Sequence, residues 1–78
     1  MRQRPRKMIQ AAVRRMKRCI KKGNPSAGEL EKAGMAWAMW IDCLHDNGLI
    51  DAVDQLRMKI DMKEFLEIFR KEKRRRPA

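Results

Sequence analysis

The sequence predicts an all-α fold: a small three- or four-helix bundle with basic N- and C-terminal arms. Apolar residues recur at spacings of three and four, and no four-residue stretch alternates cleanly between apolar and polar. Asn-Pro and Asn-Gly pairs separate the helical stretches. Thr and Tyr are absent and Val is scarce, so few residues favour strands. A chain of 78 residues is expected to form one domain, 1–78.

A first helix is predicted over 5–22, after a basic arm over 1–5. Pro5 is acceptable at a helix start. Gly23 is expected to supply a left-handed cap, and Asn24-Pro25 prevents the helix from continuing. At 100° per residue the apolar side chains share one arc about 140° wide. They are Met8, Ile9, Ala12, Val13, Met16, Cys19 and Ile20.

A second helix is predicted over 27–46. Ser26 and Glu29 match a capping box at its start, and Asn47-Gly48 closes it. Its middle is apolar around most of the circumference, which is typical of a central helix or of a docking surface. The predicted inward stripe is Leu30, Ala33, Trp37, Trp40, Ile41 and Leu44.

Two further helices are predicted over 49–60 and 62–72, followed by a basic tail over 73–78. The pair Asp61 and Glu64 resembles a capping arrangement for the last helix. Since no Gly or Pro interrupts the stretch, one bent helix is the alternative. The first of these helices has apolar residues at helical spacing, namely Leu49, Ile50, Val53, Leu56 and Ile60. In the second, the residues predicted to face inward are Met62, Phe65, Leu66, Ile68 and Phe69.

Charge is segregated along the chain, whose net charge is +10. Residues 1–23 contain ten Lys or Arg and no acid. Residues 24–61 contain three bases and seven acids, and residues 62–78 contain seven bases and three acids. A solvated helix usually mixes both signs, because i,i+4 ion pairs stabilise it. The acid-free first helix therefore predicts a polyanionic partner.

The leading functional prediction is non-enzymatic nucleic-acid binding through backbone phosphates, with duplex DNA slightly ahead of RNA. The main contacts are predicted on the first helix, and the arms are expected to wrap the ligand. The residues are Arg14, Arg15, Lys17, Arg18, Lys21 and Lys22 on the helix, with Arg2, Arg4, Arg6, Arg74, Arg75 and Arg76 in the arms.

The rival prediction is a small regulator or inhibitor that docks a protein. It would use the basic face, or a Met/Trp-rich surface of Met35, Met39, Trp37 and Trp40. Homo-oligomers are also open, because the acidic centre could dock the basic face of a second copy. A membrane surface is disfavoured, since the apolar arc of the first helix lacks Trp, Phe and Leu.

Other classes fit poorly. One Ser and one His give no catalytic constellation, so neither an enzyme nor a small-molecule substrate is expected. Cys43 and His45 are two residues apart and do not share a helix face, so neither a metal nor another cofactor is predicted. The acids around Asn47-Gly48 lack EF-hand spacing. Asp51 and Asp54 would open a recognition helix with charges that phosphates repel, which argues against a helix-turn-helix.

The predicted compartment is the cytoplasm, including the nucleoid. No apolar signal segment opens the chain. The basic run over 70–77 could direct nuclear import in a eukaryotic or viral host. Cys19 and Cys43 are predicted to be small buried hydrophobes in a reducing compartment, with a disulfide between them as the alternative.

Overall fold

Three helices make up the computed structural model, which describes residues 5–75, with side chains for 6–72. They are α1 (Pro5–Gly23), α2 (Ala27–Asp46) and α3 (Ala52–Arg75). Arg6 contacts Asp54 and Lys17 contacts Asp61, so α1 and α3 run in the same direction. Asp42 contacts Gln55 whereas the earlier Gly34 approaches Leu66, so α2 is antiparallel to both. The all-α class is confirmed, as a bundle of three helices and not four.

Both ends of α2 are fixed by local hydrogen bonds. The Ser26 side chain accepts a bond from the Glu29 amide, and the Glu29 carboxylate accepts one from the Ser26 amide. At the other end the Gly48 amide donates to the His45 carbonyl and the Leu49 amide to the Leu44 carbonyl. This is a Schellman motif, whose left-handed residue is Gly48 at φ +72°.

The end of α1 differs from the prediction by one residue. Gly23 is still helical, and Asn24 carries the left-handed conformation at φ 46°. The Asn24 amide donates to the Ile20 carbonyl, which closes the last turn. Asn tolerates this conformation better than other non-glycine residues do, and Pro25 ends the helix immediately afterwards.

The prediction of separate helices over 49–60 and 62–72 is wrong, and the single-helix alternative is the one observed. The helix begins at Ala52 because the Asp51 carboxylate accepts a hydrogen bond from the Asp54 amide, 2.7 Å away, which caps the first turn. Asp61 is not a cap, since its carboxylate pairs with Lys17. The backbone helix also continues past 72, to Arg75.

The core lies mainly between α2 and α3. Its buried residues are Leu30, Trp37, Ile41, Leu44, Met62 and Leu66. The two helices approach most closely at Gly34, where an added Cβ would lie 2.9 Å from a methyl carbon of Leu66. From α1, Val13, Met16 and Ile20 pack against this cluster but stay half-exposed. Helix α1 is therefore the most peripheral part of the bundle.

The apolar residues in the first half of α3 are largely exposed. Val53, Leu56 and Ile60 are exposed, as is Leu49 in the preceding turn, although their helical spacing is typical of a core-facing stripe; Ile50 packs against the core. A continuous helix has a single phase, and here Met62, Phe65, Leu66 and Phe69 set it by packing on the core. That phase turns Val53, Leu56 and Ile60 to the outside. Ile68 is also exposed, contrary to prediction.

Both cysteines are exposed, so the prediction that they are buried is wrong. A neighbouring helix covers one stripe of its partner, and the apolar circumference of α2 is wider than its neighbours cover. Cys43 lies in that uncovered part. Cys19 lies at the edge of the half-buried face of α1, beside the basic side chains. The two thiols are not joined by a disulfide.

Candidate nucleic-acid interface

An exposed basic face runs along α1. Arg14, Arg15, Arg18, Lys21 and Lys22 are all exposed. Arg14, Arg18 and Lys22 recur every four residues and so fall within about 80° of the helix circumference, with Lys21 beside Arg14. None of these five forms an ion pair with a carboxylate among the described residues. Their charge is therefore not neutralised by a carboxylate of the described residues.

Two other bases of α1 form ion pairs with aspartates of α3. The Lys17 Nζ lies 2.9 Å from an Asp61 oxygen, and the Arg6 guanidinium lies 3.5 Å from an Asp54 oxygen. Lys17 is half-buried, whereas the predicted contacts on either side of it are exposed. The structure therefore separates Lys17 and Arg6 from the other predicted contact residues of α1.

Phe65 of α3 lies under two lysines of α1. The Lys17 Nζ is 5.6 Å and the Lys21 Nζ 5.9 Å from the centre of its ring. Both distances are within the range of cation–π attraction. The same ring meets Trp37 edge-on at a centroid distance of 6.0 Å. Phe65 thus connects the C-terminal half of α1 to the core.

The basic face has a further member that was not among the predicted contacts. Lys7 is exposed and lies two turns before Arg14, about 20° away around the helix. The seven-residue spacing was the signal that could have identified it. With Lys7 included, the face extends about 22 Å along the axis, from Lys7 to Lys22.

The predicted contacts in the terminal arms lie outside the described side chains. Arg2 and Arg4 precede residue 5, Arg76 follows residue 75, and for Arg74 and Arg75 the backbone alone is described. Their assignment to the ligand stays a prediction.

The acidic residues of the centre serve local roles in the structure. Asp42 accepts hydrogen bonds from the Lys59 ammonium and the Gln55 amide, both at 2.8 Å. These bonds, that with Lys59 first, lower the pKa of Asp42 below its ordinary value. Asp51 caps α3, and Asp54 pairs with Arg6. Asp51 therefore stabilises the start of α3, and Asp42 and Asp54 form contacts between helices.

A groove of about 410 Å³ opens between α1 and the first half of α3. The Arg6–Asp54 and Lys17–Asp61 pairs are contacts of the same two helices, and Arg6 and both aspartates line the groove. Its apolar lining comes from Ile9, Val13, Leu49, Ile50 and Met58, and Arg14 and Arg57 add positive charge. The groove therefore lies next to the basic face and shares Arg14 with it.

The predicted Met/Trp surface is divided by the fold. Trp37 is 3% exposed and belongs to the core, so its side chain is not part of the exposed surface, and its assignment to a partner stays a prediction. Its position opposite Phe65 places it between the helices. Trp40 is half-buried against the core. Met35 and Met39, one turn apart, are 63% and 66% exposed.

Two further properties concern metals and membranes. Within the described part of the chain, no three His, Cys, Asp or Glu side chains are grouped closely enough to hold a metal ion. Over the same residues no helix has both the length and the apolar character that a bilayer crossing requires.

Comparison with known proteins identifies no relative: no family model, no curated protein and no solved structure matches the chain.

Proposed function

We propose that the protein binds nucleic acid through its backbone phosphates, with duplex DNA slightly favoured over RNA, and that the basic face of α1 makes the main contacts. The observation that carries the proposal is the set Arg14, Arg15, Arg18, Lys21 and Lys22. These side chains are exposed and have no carboxylate partner among the described residues, while Arg6 and Lys17 of the same helix pair with aspartates.

Spacing supports a duplex ligand. Duplex DNA carries about one negative charge per 1.7 Å of axis. The face from Lys7 to Lys22, about 22 Å long, matches a length of duplex that carries roughly 13 phosphates on its two strands together, of which only part can face the helix. Arginine and lysine bind phosphate without reading the base sequence. Asp51 caps α3 and Asp54 pairs with Arg6, and both carboxylates lie at the start of α3, where a base-reading helix would approach the phosphates, so we expect no base reading by α3.

Salt dependence tests the proposal. If about five to seven phosphates are neutralised, the slope of log K against log salt is expected near −4.5 to −6 on duplex DNA. Scrambling the DNA sequence is expected to change affinity little. Replacing Arg14, Arg15, Arg18 and Lys22 with Gln should flatten the slope by about 3.6, since each lost phosphate contact removes about 0.9. Fluorescence anisotropy across a salt series measures these slopes.

A control variant carries the same loss of net charge at other places. Lys32, Lys63, Arg70 and Lys71 are exposed and lie on α2 and α3. Their replacement with Gln should leave most of the slope intact. Equal weakening by both variants would show that net charge alone matters, and the α1 face would lose its assignment. A folded wild-type protein that binds neither DNA nor RNA at about 50 mM salt overturns the function.

A second candidate is a regulator that docks a protein. The observation in its favour is the exposure of Met35 and Met39, since adjacent exposed methionines suit adaptable protein contacts. A pulldown from source-cell lysate, with and without nuclease, separates the two candidates. Recovery of one protein in both conditions, with loss of that protein for Met35→Glu/Met39→Glu, would favour the regulator.

A further inference from the structure

The groove between α1 and the first half of α3 has the size and the lining of a small-ligand site. Its volume of about 410 Å³ lies within the range of about 300–1,000 Å³ that such sites occupy. Val13, Ile50 and Met58 line it, are half-buried and pack against the core. Ile9 of α1 and Leu49 of the preceding turn complete the apolar lining. The groove therefore offers an apolar base, held in place by the core, to an apolar group of a ligand.

Two ion pairs join α1 to α3 near the two ends of the groove. Arg6 and Asp54 are the first lining residues of their helices, and their side chains approach to 3.5 Å. Asp61 is the last lining residue of α3, and its carboxylate lies 2.9 Å from the Lys17 Nζ. The lining part of α1, from Arg6 to Arg14, is about 12 Å long. These limits suit a small molecule better than a partner helix, which is about 10–12 Å in diameter.

Two guanidinium groups of the groove have no carboxylate partner among the described residues. Arg14 lines the groove from α1 and Arg57 lines it from α3, and both side chains are exposed. The two lining aspartates are already paired, one with Arg6 and the other with Lys17. Four bases and two acids therefore belong to the groove when Lys17 is counted, an excess of two positive charges.

Charges just outside the groove do not cancel this excess. Asp51 caps the start of α3, and Glu64 lies one turn beyond the lining part of α3. On α1, exposed Lys7 lies about 20° around the helix from Arg14, and exposed Arg18 lies one turn beyond Arg14. Two acids and two bases thus flank the groove, and the two guanidinium groups in its lining remain available to an anion.

We infer that the groove binds a small amphipathic carboxylate, that is, one carboxylate joined to an apolar chain of medium length. The carboxylate lies between Arg14 and Arg57, because guanidinium groups bind carboxylates through paired N–H donors. The chain lies along Ile9, Val13 and Met58. A neutral apolar molecule would leave both guanidinium groups unused, and a simple anion would leave the apolar lining unused. This inference does not depend on nucleic-acid binding.

Binding is expected to be weak, with a dissociation constant of about 0.1–1 mM, because both arginines are exposed and the ligand is small. Salt should weaken it, since exposed charges are screened. The same chain without a charge should respond little to salt. Salt dependence therefore separates the contribution of the guanidinium groups from that of the apolar lining.

Titration with octanoate, followed by two-dimensional NMR of the ¹⁵N-labelled protein without nucleic acid at about 0.1 M NaCl, tests the site. The perturbed amides are expected to concentrate at Ile9, Val13 and Ile50 and to saturate at one octanoate per chain. The comparator 1-octanol has the same chain length without the charge, and it should bind about fivefold more weakly. Acetate, which lacks the chain, should not saturate.

Two matched pairs of variants test the two parts of the groove. Arg57→Gln is expected to raise the dissociation constant for octanoate about three- to fivefold. Lys63→Gln removes the same charge from an exposed position of α3 outside the groove, and should change the constant less than about 1.5-fold. Leu49→Ser should raise it about threefold or more, whereas Leu56→Ser, at a 61% exposed residue outside the groove, should not. Circular dichroism checks that all four variants fold.

Several results overturn the inference. One is an absence of perturbation up to about 10 mM octanoate, well above the expected constant. Another is octanol that binds as tightly as octanoate, since the guanidinium groups would then play no part. Equal weakening by Arg57→Gln and Lys63→Gln, or several octanoate molecules per chain, would mean adsorption to the net charge of +10 and no defined site. Equal effects of Leu49→Ser and Leu56→Ser would place the chain outside the groove.

Discussion

Trp37 and Trp40 occupy the same stripe of α2 by sequence, yet they have different environments. Trp37 is buried, packs edge-on against Phe65, and its indole Nε1 finds no acceptor among the described residues. Trp40 is half-buried. A buried donor without an acceptor costs free energy, typically about 1–3 kcal/mol. The apolar area of Trp37 must therefore outweigh that cost.

Truncation to Ala is expected to change the free energy of unfolding by different amounts at Trp37 and Trp40. Trp37→Ala is expected to lower the free energy of unfolding by about 3–5 kcal/mol, because it removes a large buried ring and leaves a cavity. Trp40→Ala should cost less, since its ring is partly solvated already. Trp37→Phe should cost clearly less than Trp37→Ala, because the smaller ring fills part of the space and the unpaired N–H is gone. Urea unfolding followed by circular dichroism measures all three; equal losses for Trp37→Ala and Trp40→Ala would contradict the difference in burial.

Single-residue roles were predictable where the cause is local. The Ser26–Glu29 capping box and the Asn47-Gly48 turn each depend on a few consecutive residues. Helical phase places Lys17 nearer than Arg18 to the apolar arc of α1, but its partner Asp61 is 44 positions away and cannot be identified from the local sequence. The sequence therefore indicated a basic face on α1, but the fold decides which of its bases remain available.

At the scale of the elements, α2 was predictable and α3 was not. The bounds of α2 follow from its capping residues. Asp61 and Glu64 have the spacing of a capping arrangement but lie inside a continuous helix. Without the fold, the apolar residues of 49–60 and of 62–69 can each be placed inward, in two separate helices. A single helix allows one phase, and the larger cluster around Leu66 and Phe65 determines it. Val53, Leu56 and Ile60 are exposed because the cluster around Leu66 and Phe65 faces the core.

Two glycines of α2 test how closely it packs on α3. At Gly28 an added Cβ meets nothing within 4 Å, while at Gly34 it would lie 2.9 Å from Leu66. Gly28→Ala is expected to raise the free energy of unfolding by about 0.5 kcal/mol through reduced chain entropy in the unfolded state. Gly34→Ala should lose this gain, or be destabilising, because buried Leu66 must move. Thermal unfolding compares the two, and an equal gain at both positions would show that Leu66 accommodates the methyl group freely.

At the scale of the whole molecule, charge repulsion opposes the fold. The chain carries 20 bases and 10 acids. The described ion pairs of Lys and Arg are four, at Arg6, Lys17, Lys59 and Lys71, and all involve partly exposed groups. Such pairs contribute about 0–1 kcal/mol each. Most of the positive charge of the described residues is therefore balanced by solvent ions and not by the protein.

Salt is consequently expected to act on stability in opposite directions with and without a polyanion. At about 5 μM protein the melting temperature should rise between about 0.02 and 0.3 M NaCl, because screening relieves repulsion more than it weakens the few ion pairs. Excess duplex DNA should raise the melting temperature at low salt, since a ligand at about 100 times its dissociation constant stabilises the folded protein by about 2.7 kcal/mol. The melting temperature with DNA should then fall as salt rises, because binding is lost.

The Gln variant of Arg14, Arg15, Arg18 and Lys22 is the control. Without DNA its melting temperature should depend less on salt, and adding DNA should change it little. Two parallel rising curves for the wild type, with and without DNA, would mean that the α1 face does not bind the duplex.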